Sequence, residues 1–239
     1  MQIPSWLGRV KLDWSDFDEA GRVARDVVQT IAADRTALRR MVLATYDNAT
    51  LRALAEKHSE LNYIVLHDDL DSGLRVRLHR FSKGLEDIPH NHRFSFSSVI
   101  LSGSYVHTLF ALERGNDDTA EVSRWQPNQA EGTHAGTRLE EICITGLTPM
   151  LTTTQSAGSS YSMHHQSIHK TAMPHSDAFS LFIRGPAQKP CALQLQPESR
   201  SYRWKFGREA EAAEVIADRT MTGTEFDRFV ESLEAAQVI

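Results

Sequence analysis

At Asn62 the hydrophobic period of the chain changes from that of a helix to that of a strand, and the helical period stays away for about 140 residues. Tyr63-Ile64-Val65-Leu66 and Leu74-Arg75-Val76-Arg77-Leu78-His79 come first. Strand-like segments follow at 94–101, 104–112, 119–125, 138–145, 148–155, 159–163, 167–171, 178–184 and 191–196. Turn signals such as Ser102-Gly103, Arg114-Gly115-Asn116, Ala157-Gly158 and Gly185-Pro186 separate them. So many short strands without intervening helices point to a sandwich or barrel. Helices are predicted on both sides. Residues 15–31 place Phe17, Ala20, Ala24, Val27, Val28 and Ile31 at helical spacing, with Ser15 and Asp18 as a capping-box start. Further helices are predicted over 35–46 and 49–58. After Trp204 the helical period returns, with Thr224 and Asp227 as a cap and Phe226, Phe229, Val230 and Leu233 as one apolar stripe. The expected plan is a helical N-terminal extension (1–60), a β-barrel (61–205) and a helical tail (206–239) in one structural unit.

A chain of 239 residues with 41% hydrophobic and 24% charged residues is ordinary for a globular protein, and long enough for a sizeable core. Its formal charge of −5, and the lack of any basic run longer than Arg39-Arg40, argue against nucleic acid as a partner. No window approaches the ~18 apolar residues of a membrane span, and residues 1–14 lack a signal-peptide core, so a cytoplasmic protein is expected. Cys143 and Cys191 are too few for a disulfide framework and read as buried thiols.

Histidine is the unusual residue: there are 11, concentrated between His79 and His175. In His90-Asn91-His92 the two imidazoles share one face of a strand and can reach one metal ion. Alone the pair means little, since about 0.5 such pairs are expected by chance at this composition. Its setting adds weight. Gly84, Pro89, His90, His92 and Gly103 follow the order and spacing G(x)5HxH(x)3-4E(x)6G, which resembles the first motif of the cupin superfamily. Gly158 opens a segment with the spacing of the second cupin motif. There His164 and Gln166 replace the usual Pro and Gly, and His169 occupies the third-ligand position. The resemblance covers roughly 62–196 and implies a mainly β fold, a cupin double-stranded β-helix or jelly-roll barrel, with helical additions at both ends. It departs at Phe96, which stands where the family usually has a glutamate ligand. That leaves a three-histidine site, His90, His92 and His169, which resembles the thiol dioxygenase branch in site type, although Phe182 and Arg184 replace the His and Tyr of that branch.

Three neutral imidazoles would leave a divalent ion its full charge and open positions for a chelating anion and O2. The expected cofactor is therefore Fe(II), with Zn, Ni, Co or Mn as alternatives. His165 is the rival to His169. His107, in the parity of Tyr105 and Leu109, is read as a catalytic or ligand-orienting group, with Tyr161 and Arg184 as further catalytic candidates. Phe94, Phe96 and Met163 are expected to line the substrate pocket. Arg75, Arg77 and His79 share one face of their strand. If that face is the cavity, an arginine clamps a substrate carboxylate; if Val76 and Leu78 point inward, it is a solvated outer face. His58, His67 and His134 read as surface residues. The expected function is a mononuclear non-heme Fe(II) oxygenase, a dioxygenase or hydroxylase, acting on a small, polar, carboxylate-bearing metabolite with O2. A redox-neutral Zn or Ni isomerase, lyase or hydrolase with His107 or His165 as base, and a non-catalytic binding module, stand as alternatives. An open sheet edge makes a homodimer the expected assembly.

Overall fold

The computed structural model of the chain describes residues 4–59, 61–115, 124–128, 141–173 and 175–239. The N-terminal helices are α1 (Phe17–Ala33), α2 (Arg35–Tyr46) and the short α3 (Ala49–Arg52). Eleven strands follow among the described residues: β1 (Leu61–Asp69), β2 (Leu74–Phe81), β3 (Phe96–Ser102), β4 (Ser104–Arg114), β5 (Gln126–Pro127), β6 (Ile144–Ser156), β7 (Ser160–Met163), β8 (Ile168–Ala172), β9 (Ala178–Arg184), β10 (Cys191–Gln196) and β11 (Ser201–Phe206). Helices α4 (Ala213–Arg219) and α5 (Gly223–Ala235) close the described chain.

The strand order identifies the architecture. One sheet runs β1-β2-β9-β3-β7 and a second runs β6-β4-β8. The second is extended beyond β8 by residues 86–90, through bridges of Glu86 with Ala172 and His90 with His169. Counting β2, residues 86–90, β3, β4, β6, β7, β8 and β9 in chain order, the first sheet holds the first, eighth, third and sixth strands. The second holds the second, seventh, fourth and fifth. This interleaving is a jelly roll, the double-stranded β-helix, with helices added at both ends.

Both faces of the first sheet are covered. Val76, Leu78, Val99, Leu181 and Ile183 turn outward and pack under Ala24, Val28, Leu38, Phe229 and Leu233 of the flanking helices. The opposite face turns Phe96, Phe182 and Met163 into the barrel. Each fully buried aliphatic side chain contributes about 1.5–3 kcal/mol, so the helices are part of the fold's stability. The outward direction of Val76 and Leu78 sends Arg75, Arg77 and His79 inward, so the solvated-face reading of that trio is overturned. Alternation alone could not decide it because both sets are largely buried.

Several local expectations need correction. The cap of α1 is Asp16 accepting from Glu19 N, because the Ser15 hydroxyl is taken by Asp13. The capping box of α5 is Thr222 with Glu225, two residues earlier than Thr224. The helix expected over 49–58 ends at Arg52, where Glu56 is drawn into backbone bridges with Tyr63 and Thr220. Of the predicted strands 138–145 and 148–155, residues 144–145 and 148–155 lie in the single strand β6 while 141–143 carry no regular structure, and β6 tolerates Pro149 because it is a sheet edge. Strand β11 was not anticipated. Most of the segment 119–125, part of 138–145 and His134 lie outside the described residues. No described helix is long and apolar enough to cross a membrane.

At Gly103, the turn between β3 and β4, φ is +75°, and an added Cβ would sit 2.3 Å from the Asp177 carbonyl oxygen. Glycine is required there by conformation and by space. The motif glycines Gly84 and Gly158 also take positive φ, at 75° and 90°.

Candidate metal centre

Residues 90–92 cross from β8 to β10. His90 exchanges backbone hydrogen bonds with His169, each 2.9 Å, and Asn91 N donates to Leu193 O at 3.0 Å while its side chain accepts from Leu193 N at 2.7 Å. The ring orientations follow from this frame. His90 Nδ1 donates to Ile88 O at 2.8 Å, which leaves Nε2 as the bare nitrogen. His92 Nε2 and His169 Nε2 face each other at 2.8 Å. On its far side His169 Nδ1 meets His107 Nε2 at 2.9 Å, and both residues are 4% exposed. Ligand nitrogens of His90, His92 and His169 all lie within 4.8 Å of one another.

Burial, then the neighbouring imidazoles, pulls His92 and His169 well below the ordinary histidine range. Burial and the charge of His90 pull His107 down to about 4. Neutral rings carry the free lone pairs that a metal requires. The donor set therefore fits a divalent ion on three imidazole nitrogens, with His107 accepting from His169 Nδ1–H and fixing its tautomer. His165, the expected rival, is outside this cluster: its backbone N donates to Ser95 Oγ at 3.1 Å, and its ring contacts the same hydroxyl at 3.3 Å.

The wall beside the cluster is aromatic. Phe96, 2% exposed, sets its ring 4.9 Å from that of His92 and 4.6 Å from that of Phe182. Phe94 lies 5.5 Å from His92, and Met163 packs with Phe96 and Phe182. Tyr161 stacks 4.8 Å from His107, and its hydroxyl shares a 2.8 Å hydrogen bond with that of Tyr105. Burial lifts Tyr161 to about 12, so it stays protonated at neutral pH.

A cavity of about 290 Å³ opens on the cluster and is lined by Arg75, Arg77, His90, His92, Phe94 and Arg184, among others. Two larger clefts, about 630 and 760 Å³, lie around Lys57 and Phe229 and around Glu86 and Pro197, and neither is lined by His90 or His92. The smaller cavity holds the chemistry. Arg75 is committed to Asp68, with two hydrogen bonds of 2.7 Å, and is not a free clamp. Arg77 and Arg184 each keep a buried Nε without a partner, as do His79 Nε2 and Ser180 Oγ beside them. The faces of the two guanidiniums are covered instead, Arg77 by Tyr63 at 4.3 Å and Arg184 by Phe94 at 4.4 Å. Burial, then the charge of Arg77, lowers Arg184 to about 8.

Some contributors were not singled out in the sequence. Asp87 accepts from Thr171 N at 2.7 Å and holds the 86–90 segment against β8; its place three residues before His90 was the available signal. Tyr63 was read only as a strand residue. His58 is bonded to Glu56 at 3.0 Å, and His67 has a buried Nε2, so neither is a free surface histidine.

No family model matches the chain, and no curated protein matches it in sequence. Solved structures similar to it include KdgF from Halomonas sp., at 13% identity over 55% of this chain and 84% of that one, with a TM-score of 0.33. An RmlC-like cupin from Shewanella frigidimarina is 15% identical over 56% and 85%, with a TM-score of 0.34. The DMSP lyase DddQ from Ruegeria pomeroyi is 12% identical over 60% and 58%, again at 0.34. At these scores the likeness adds no weight, and the jelly-roll assignment rests on the strand order itself.

Proposed function

We propose that this chain is a mononuclear, non-heme metalloenzyme of the cupin type. In this reading Fe(II) on His90, His92 and His169 serves an oxygenase acting on a small, polar, carboxylate-bearing metabolite with O2. The observation that carries the reading is the convergence of three imidazole nitrogens within 4.8 Å, with no carboxylate in the set. Bound there, Fe(II) would supply a chelation site for the substrate and the means of activating O2. The side chains do the rest. Arg77 and Arg184 receive the anion and orient it. Phe94, Phe96 and Met163 keep water from the reacting face. His107 holds His169 in the ligating tautomer, and the protonated Tyr161 hydroxyl belongs to a hydrogen-bonded pair with Tyr105 behind that ring.

The resemblance to thiol dioxygenases is one of donor set only, because Phe182 and Arg184 supply none of that branch's His and Tyr chemistry. Sulfur oxidation is therefore not part of the proposal. The redox-neutral reading needs a base near the cluster. His107 is committed to His169 and is a weak base at about 4, and His165 is held by Ser95, so the oxygenase is favoured. We further propose a cytoplasmic homodimer formed along β6, a sheet edge without charged residues whose Met150 and Leu151 are 71% and 53% exposed. The function is tested by reconstituting the protein with Fe(II) under anaerobic conditions and following O2 uptake with a panel of carboxylate metabolites. Uptake that requires one panel member and vanishes in His92→Ala supports the oxygenase. Substrate turnover without O2 consumption overturns it.

A further inference from the structure

The polar row on the inner face of β2 and β9 carries more positive charge than holding one carboxylate requires. In register, Arg75 faces Arg184, Arg77 faces Phe182 and His79 faces Ser180, so Arg77 and Arg184 are diagonal neighbours about 7–8 Å apart at the backbone. Asp68 neutralises Arg75. No described carboxylate forms a direct ion pair with Arg77 or Arg184, although Glu56, Glu209 and Glu211 line the same cavity, and Arg184, His79 and Ser180 are only 6%, 4% and 1% exposed. The aromatic rings occupy the faces of both guanidiniums; Arg184 Nη1 donates to Gly185 O at 2.8 Å, while the Nε–H of each arginine has no partner, and a carboxylate binds a guanidinium along its edge. A buried cation with no carboxylate in direct contact is costly, and such groups are retained where a ligand completes them.

Geometry sets the reach. Phe94 contacts both anchors, its ring centre 5.5 Å from that of His92 and 4.4 Å from Arg184 Cζ, so imidazole and guanidinium are at most about 10 Å apart. The cavity, at about 290 Å³, is at the small end for ligand sites and too small for a nucleotide-sized molecule. We infer that the substrate is a compact dianion, with one anionic group at the histidine cluster and a second held across Arg77 and Arg184, a short dicarboxylate being the simplest member of the class. His79 Nε2 and Ser180 Oγ, also without partners, sit on the same face but outside the cavity lining. The inference rests on the proposed metal site for its first anchor alone; the second anchor stands on the chain's own side chains.

Calorimetric titration tests it without any turnover. Malonate, succinate, glutarate and adipate are compared with butyrate, on protein loaded with redox-silent Zn(II) and on metal-free protein. On the loaded protein at least one dicarboxylate is expected to bind tenfold or more tightly than butyrate. Arg77→Gln and Arg184→Gln should each reduce that dicarboxylate to the butyrate level. The wild-type comparison needs no variant, and Arg77→Lys, which keeps the charge but not the fork, guards against misfolding and should lose part of the preference. On metal-free protein butyrate binding should itself vanish in Arg77→Gln. If the chain takes up no metal yet this last result holds, the metalloenzyme reading fails and the second anchor stands. Butyrate equal to every dicarboxylate on the loaded protein, or dicarboxylate binding untouched by both Gln variants, overturns the inference.

Discussion

Replacing His107 with leucine removes the acceptor for His169 Nδ1–H, and the consequence for metal binding follows from the tautomers. When His169 ligates through Nε2, its proton must sit on Nδ1, and His107 Nε2 at 2.9 Å is the partner observed there. Both residues are 4% exposed, so no bulk water replaces the lost acceptor, and an unsatisfied buried donor costs about 1–3 kcal/mol. Without metal the penalty is smaller, because His169 can carry its proton on Nε2 and donate to His92 Nε2 at 2.8 Å. The difference between the two states appears as lost affinity. Removal of such a ligand-orienting partner weakens metal binding about 10- to 100-fold, or about 1.4–2.8 kcal/mol. His107→Gln keeps an acceptor and should recover most of the loss. Competition for Zn(II) against a chromophoric chelator reads all three proteins on one scale. If the leucine variant binds within about twofold of wild type, the His107–His169 bond is mere packing and the argument fails.

Three further outcomes are expected. Glu56, 3% exposed, accepts from Arg208 at 2.8 Å and Arg219 at 3.0 Å. Burial raises its carboxyl, but the bonds from His58 and Tyr63 and the charge of Arg219 outweigh that and hold it at about 2 against an ordinary 4.5. A depressed carboxyl stabilises the fold above its unfolded pKa and loses that effect as pH falls toward 2. Glu56→Gln should therefore cost about 3 kcal/mol in denaturant unfolding at pH 7, with the gap to wild type roughly halved at pH 3. A gap that does not narrow contradicts the assignment. Gly103→Ala forces Cβ against the Asp177 carbonyl and should cost about 2 kcal/mol or more, a fall of about 4–8 °C in Tm for a chain of this size. An unchanged Tm would mean the turn relaxes freely. Phe96→Glu places a carboxylate beside His92 in a site that is 2% exposed. It should lower Tm in metal-free protein and regain much of the loss when Zn(II) is added, and a variant indifferent to Zn(II) would show that position 96 cannot reach the ligand cluster.

The histidine cluster was legible because two fixed spacings, Gly84 to His90 and Gly158 to His169, encode the turns that bring residues 90–92 against β8. Parity also placed His107, Phe94 and Phe96 on the inner side. The inward direction of Arg77 and His79 was not legible. Two alternating sets on one strand are resolved only when one faces water, and here the helices bury the set that water would otherwise mark. Strand β11 carried its own signal, Tyr202, Trp204 and Phe206 alternating with Arg203 and Lys205, but six residues next to a helical segment give a weak period. The early end of α3 had no local signal, since tertiary bridges of Glu56 with Tyr63 and Thr220 override a segment whose composition suits a helix. The commitment of Arg75 to Asp68 is a cross-strand pairing through the β1–β2 hairpin, which a linear reading does not pair.

Metal stoichiometry tests the central claim most directly. Protein reconstituted with Fe(II) under anaerobic conditions and stripped of loosely bound metal should retain about one iron per chain, while His169→Ala, prepared identically and confirmed folded by circular dichroism, should retain almost none. Wild type that holds no iron, zinc or nickel, or a His169→Ala variant that holds as much as wild type, would contradict the three-histidine metal centre.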